Sequence, residues 1–157
     1  MTNQLTSSTT ESFIASSLDD ELCLLFAKDY VQEVITARPE QIVPIPNMST
    51  CIIGLLHHRQ NNYWLVDFAT MLGYAPLSTE TDFHQIILIS KGKKFLGLIF
   101  KQVEGIQNID PEEIYPTVLP HTSPLLKPYL RGYYQDGLRV QYVINPDYIL
   151  NSSMLHN

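Results

Sequence analysis

The sequence predicts a mainly β protein folded as a pair of small barrels, and three observations carry that prediction. The apolar runs are short and are punctuated by Gly, Pro, Asn and Asp, the residues of strand ends and tight turns. The chain also resembles itself once. Val31-Gln32-Glu33-Val34 matches Val103-Glu104-Gly105-Ile106, and Pro39-Glu40-Gln41-Ile42-Val43-Pro44 matches Pro111-Glu112-Glu113-Ile114-Tyr115-Pro116, both at an offset of 72. Leu24-Leu25-Phe26 matches Leu98-Ile99-Phe100 at an offset of 74, and Gly54, Asp67 and Leu72 match Gly132, Asn145 and Leu150 at 78. Offsets that drift by loop insertions, in constant order, indicate two copies of one supersecondary unit. Last, 157 residues suffice for one domain or for two very small subdomains sharing a core. Closing a short sheet into a barrel removes most of its edges, and packing two barrels together buries a core that neither holds alone.

In chain order, Phe13 to Ser16, Glu21 to Phe26, Cys51 to Leu56 and Tyr63 to Phe68 read as strands of the first half. His84 to Ser90, Lys94 to Phe100, Leu130 to Tyr134 and Leu138 to Asn145 read as strands of the second. Ser90-Lys91-Gly92-Lys93 between two apolar runs is a hairpin signal, and Asp136-Gly137 marks another tight turn, with glycine free to take positive φ. Asn61-Asn62 is the expected turn of the first half, because asparagine tolerates left-handed geometry. Prolines 39, 44, 46, 111, 116, 120, 124 and 128 confine two long stretches to loops or sheet edges. Short helical turns fit Ala69 to Gly73 and Pro146 to Leu150, the latter with proline at a helix start. The expected organisation is one domain over 13–150, with subdomains at 13–77 and 84–150. A polar connector at Pro76 to Asp82 joins them, and 1–12 and 151–157 are expected as flexible tails.

Composition excludes several classes of function. A net charge of −6 argues against nucleic acid, whose phosphates need clustered Lys and Arg. The one basic cluster is Lys91, Lys93 and Lys94 around Gly92, at a hairpin turn. No apolar run approaches the ~20 residues that span a bilayer, so no membrane insertion is expected. Residues 1–12 lack the basic-then-apolar layout of a secretion signal. Cys23 and Cys51 stand among apolar neighbours and read as buried free thiols of a reducing cytoplasm.

Catalytic constellations are weak. His57 and His58 are strand neighbours, so they point to opposite faces and cannot readily share a metal ion. His84 and His121 are isolated, and no Cys or His pair has zinc spacing. Cys51, His57 and Asp67 make a triad only as a list of residue types, because nothing near Cys51 resembles an activated nucleophile. Glu112-Glu113, after a capping Asp110 and Pro111, read as first-turn acids that favour a helix dipole. Phosphate loops of the Walker or G-x-G-x-x-G type are absent, and no cofactor is implied.

Arg59 stands apart. It sits beside a turn in a segment short of cations, where an arginine fork suits an interface; the alternatives are a surface arginine of no consequence and an internal pair with an acid such as Asp67. Gly54, Arg59, Asp67, Leu72 and Gly73 fall on the pattern of the CheW-like family, the adaptor domains of bacterial chemosensory arrays: glycine, five residues to an arginine, eight more to an aspartate, then a leucine-glycine helix end. The chain resembles that family over roughly Phe13 to Leu150. The resemblance implies two pseudo-symmetric five-stranded SH3-like β-barrels with short helices, and a cytoplasmic, non-enzymatic adaptor. Its implied partners are the regulatory domain of a CheA-type histidine kinase and the cytoplasmic tip of a chemoreceptor, in chemotaxis, phototaxis or twitching. An alternative within the family is direct capture of a response regulator or motor-control protein; a small hydrolase is the rival from another class.

By the same resemblance Arg59 supports receptor–kinase coupling, and Val31 and Glu33 occupy the Val-Gln-Glu-Ile segment beside the receptor groove, although Val31 reads equally well as a plain core residue. Three departures fall where partners should dock. His57-His58 replaces Asn-Leu, Gln60 replaces a glycine and Trp64 stands where proline is common. The partner-binding set expected from sequence is therefore Arg59, Val31, Glu33 and His58.

Overall fold

The structure, a computed structural model, describes residues 9–77 and 82–155. Ten strands are present among them: β1 (Glu11–Ser17), β2 (Cys23–Ala27), β3 (Val31–Ala37), β4 (Ile52–His58), β5 (Asn61–Asp67), β6 (His84–Lys91), β7 (Lys94–Phe100), β8 (Gln102–Ile109), β9 (Leu130–Asp136) and β10 (Arg139–Ile144). Two short helices, α1 (Phe68–Met71) and α2 (Pro146–Leu150), follow β5 and β10. Two five-stranded sheets result, in the orders β8-β1-β2-β10-β9 and β3-β6-β7-β5-β4. Shifting every strand number by five converts one order into the other, so the repeat read from the sequence is a repeat of structure.

The expected division into 13–77 and 84–150 is corrected by this topology. Each sheet takes two strands from one half of the chain and three from the other, joined by a parallel pair: β2 with β10, and β5 with β7. Sequence self-similarity shows which units are copies; it carries no information on which copy each strand pairs with. The tails are corrected too. Glu11 and Ser12 already pair with β8, and Leu155 is buried against the central core. Residues 1–8, 156–157 and the middle of the connector lie outside the described residues.

The burial pattern explains why β2 and β6 read as unbroken apolar runs. Leu24 and Phe26 of β2 face the central core, while Leu25 and Ala27 face the interior of the first sheet. Ile87 and Ile89 of β6 likewise face the centre, with Ile86 and Leu88 inside the second sheet. A strand buried on both faces has no reason to alternate. Phe26 and Phe100, which match at offset 74, meet edge to face with ring centroids 5.4 Å apart, and Phe68 packs at 6.2 and 5.9 Å from them. Each such pair contributes about 0.5–1.5 kcal/mol beyond its buried area.

Gly54 and Gly132 occupy equivalent environments, as the repeat requires. A Cβ on Gly54 would lie 2.4 Å from the Val43 carbonyl oxygen, and one on Gly132 would lie 2.2 Å from that of Tyr115. Val43 bridges to Leu55 and Tyr115 to Tyr133, so each glycine admits the extended segment that covers its own strand.

Candidate functional site

The β4–β5 hairpin turns on Arg59 and Gln60, both at positive φ (47° and 71°). Asn61 and Asn62, the expected turn residues, instead begin β5 and pair with His58 and His57. A two-residue turn with positive φ at both positions suits the twist of a hairpin and favours Asn-Gly. Arginine and glutamine hold this geometry against a steric cost of roughly 1–2 kcal/mol per residue.

Three of the four expected partner-binding residues converge here. Glu33, on β3 just past a register shift, accepts hydrogen bonds from Arg59 Nε at 2.9 Å and Arg59 Nη2 at 3.4 Å. His58 Nε2 lies 3.0 Å from the same carboxylate. The His58 contact first, and then Arg59, hold the Glu33 carboxyl below its ordinary value. Since β3 and β4 are the two edges of their sheet, this cluster bridges the seam. Arg59 remains 74% exposed, so most of its donor fork faces solvent. Val31, two residues from Glu33, is half-buried, pairs with Ile89 and packs against the central core.

The internal pair with Asp67 is not formed. Asp67 is fully buried; its Oδ1 accepts from Thr70 N at 3.2 Å, capping α1, and its Oδ2 accepts from Leu77 N at 2.7 Å. Cys51 is buried beside it, and that burial first, with the neighbouring Asp67 charge, pushes its thiol pKa up. His57, at the far end of β4, bonds Asn62 at 2.9 Å. The three residues of the nominal triad thus serve separate structural tasks.

Sequence reasoning missed the counterpart of this cluster in the other sheet. Glu104 on β8 pairs with Arg139 Nη2, at 2.9 and 3.1 Å, just past the β9–β10 turn. The offset of 78 carries Arg59 onto Gly137 and the offset of 72 carries Glu33 onto Gly105, so the repeat as read from the sequence does not point to this pair. Also missed was an amide pair inside the first sheet. Gln107 and Gln141 exchange bonds of 2.6 and 3.0 Å, and Gln141 donates to Cys23 Sγ at 3.3 Å.

A family profile described as a CheW-like domain matches residues 13–154. The chain belongs to the CheW-like family. The fold agrees: the scaffolding protein TtCheW from Thermoanaerobacter tengcongensis superposes with a TM-score of 0.74 at 20% identity, covering 87% of this chain and 90% of that one. No curated protein sequence matches it. Among the described residues, three that are not glycine take positive φ, Asn47, Arg59 and Gln60, and two of the three form the tip of this hairpin.

Proposed function

We propose that this CheW-like protein is a cytoplasmic, non-enzymatic adaptor that couples a chemoreceptor-like sensor to a CheA-type histidine kinase in motility control, through the surface formed by Glu33, His58 and Arg59 with Val31 behind them. The observation that carries the reading is the turn itself. Left-handed geometry is held at two residues that are neither Gly nor Asn, and such outliers cluster at functional positions. An exposed arginine already oriented by a carboxylate has less side-chain entropy to lose when a second acidic group arrives. The action is positional: tethering raises the effective concentration of kinase beside sensor.

The hydrolase alternative is disfavoured by the thiol, whose raised pKa is the reverse of what a cysteine nucleophile needs. Binding titrations against the kinase regulatory domain, the receptor tip and a response regulator test the proposal. Affinity for the first two is expected to fall at least tenfold in Arg59→Ala. Affinity for the response regulator alone would transfer the site to that partner.

A further inference from the structure

On the other side of the same hairpin lies a groove of about 490 Å³. Its apolar lining comes from Met48, Ile52, Trp64, Leu96, Leu150 and Leu155, and its rim carries Lys93 and Lys94. Asn62, the partner of His57, closes the end nearest the turn. His58 and Arg59 face Glu33 on one side of the hairpin, while the His57–Asn62 pair and Trp64 lead into the groove on the other. Trp64, the chain's single tryptophan, is only partly buried and packs at the margin of the central core.

We propose that this groove docks the apolar face of an acidic amphipathic helix belonging to another protein. The topology fixes the occupant's backbone. The strands that floor the groove, β5 and β7, are both interior to their sheet. On the edge strand β4, which adds Ile52, the N–H groups of Ile52 and Leu55 already bond the Ser49 and Val43 carbonyls, so the groove offers little free backbone to an added strand. The occupant must satisfy its own backbone hydrogen bonds, which a helix does. Charge fixes its polar flank. On a chain of net charge −6, the groove opens beside the one lysine cluster, and Lys93 makes none of the ion pairs seen among the described residues. A second copy of this chain is a poor occupant, because its longest helix among the described residues has five residues. Residues 1–10 contain no acidic side chain and leave the lysines unmatched. Trp64 supplies the flat, amphipathic anchor that interface centres favour.

The test is selection from a displayed library of fourteen-residue helical peptides, randomised at apolar and charged positions, on the full chain, with counter-selection on Lys93→Glu/Lys94→Glu. Enriched sequences are expected to carry apolar residues at i, i+3 or i+4 and i+7 with Glu or Asp beside them. A synthetic enriched peptide is expected to change Trp64 emission saturably, and to bind the double variant at least tenfold more weakly. Met48→Asp, which adds a charge at the half-buried margin of the groove, is expected to weaken binding with the melting temperature retained. The proposal is overturned if no helix is enriched, if enriched peptides are neutral or basic, or if the lysine variant binds equally. Concentration-dependent self-association that shifts Trp64 emission, or such a shift on deleting residues 1–9, also overturns it by naming a different occupant.

Discussion

Replacing the hairpin tip by its preferred chemistry, Arg59→Asn with Gln60→Gly, separates function from stability by the sign of the effect. Both positions have positive φ, 47° and 71°, and relief of the left-handed penalty is worth roughly 1–2 kcal/mol at each. Glycine returns part of that gain through its larger loss of backbone freedom on folding, about 0.5–1 kcal/mol. The ion pair to Glu33 is lost as well, but it is exposed, and such pairs contribute little. The net expectation is stabilisation of about 1 kcal/mol, or about 2–4 °C in a chain of this size. Thermal melts followed by circular dichroism read the stability, and titration calorimetry against the kinase regulatory domain and receptor tip reads binding. The variant should melt higher and bind more weakly. A melting temperature lowered by more than about 3 °C would mean that Arg59 holds the seam together, and the argument from strain would be wrong.

Other expectations follow from the same geometry. Glu33, Asp20 and Asp147 each titrate below their ordinary values, through His58 and Arg59, Lys101, and Lys91 with Tyr30 respectively. A depressed folded pKa gives stability that is present above the unfolded value and lost as pH falls through the folded one. Acid unfolding should therefore steepen below about pH 4, and Glu33→Gln should make the slope shallower; an unchanged acid profile in that variant would remove Glu33 from the set. Gly54→Ala and Gly132→Ala each force a Cβ into a backbone carbonyl and should cost about 3 kcal/mol in denaturant melts. Gly92→Ala, with nothing within 4 Å, should cost only about 1 kcal/mol for its positive φ. Cys23 and Cys51 are buried with thiol pKa values raised chiefly by that burial, so alkylation should be slow in the folded protein and complete in denaturant. Rapid native labelling would show that a barrel opens.

The repeat was legible because its markers are sterically demanding. Gly54 and Gly132 must admit a backbone carbonyl, and Asp67 and Asn145 must cap helices, so those identities survive in both copies. The centre was legible because strands buried on two faces leave continuous apolar runs. β3 and β8 were not recognised as strands, because both are sheet edges with one face in solvent. In β8 the order is inverted locally: Ile106 is 60% exposed, while Gln107 turns inward to bond Gln141. That inversion hides the alternation by which a strand is recognised. At the site, Arg59, Glu33 and His58 were each singled out from sequence, but their convergence was not foreseen. They lie 25 and 26 positions apart in the chain, and only the pairing of sheet edges brings them together. The turn was misplaced by two residues because Asn61-Asn62 has the better intrinsic turn chemistry. The groove beside Trp64 gave no sequence signal beyond the unexpected tryptophan, since its walls come from β4, β5, β7 and the C-terminal turns.

The most direct test of the adaptor reading is a ternary assembly. The protein is mixed with the purified regulatory domain of a CheA-type kinase and a chemoreceptor cytoplasmic tip from the same organism, and the mass of the complex is read by size-exclusion chromatography with light scattering. The account expects one complex containing all three proteins, with at least one of the two partners lost when Arg59→Asn/Gln60→Gly replaces the wild type. Absence of binding to either partner, or an unchanged ternary complex with the folded variant, would contradict it.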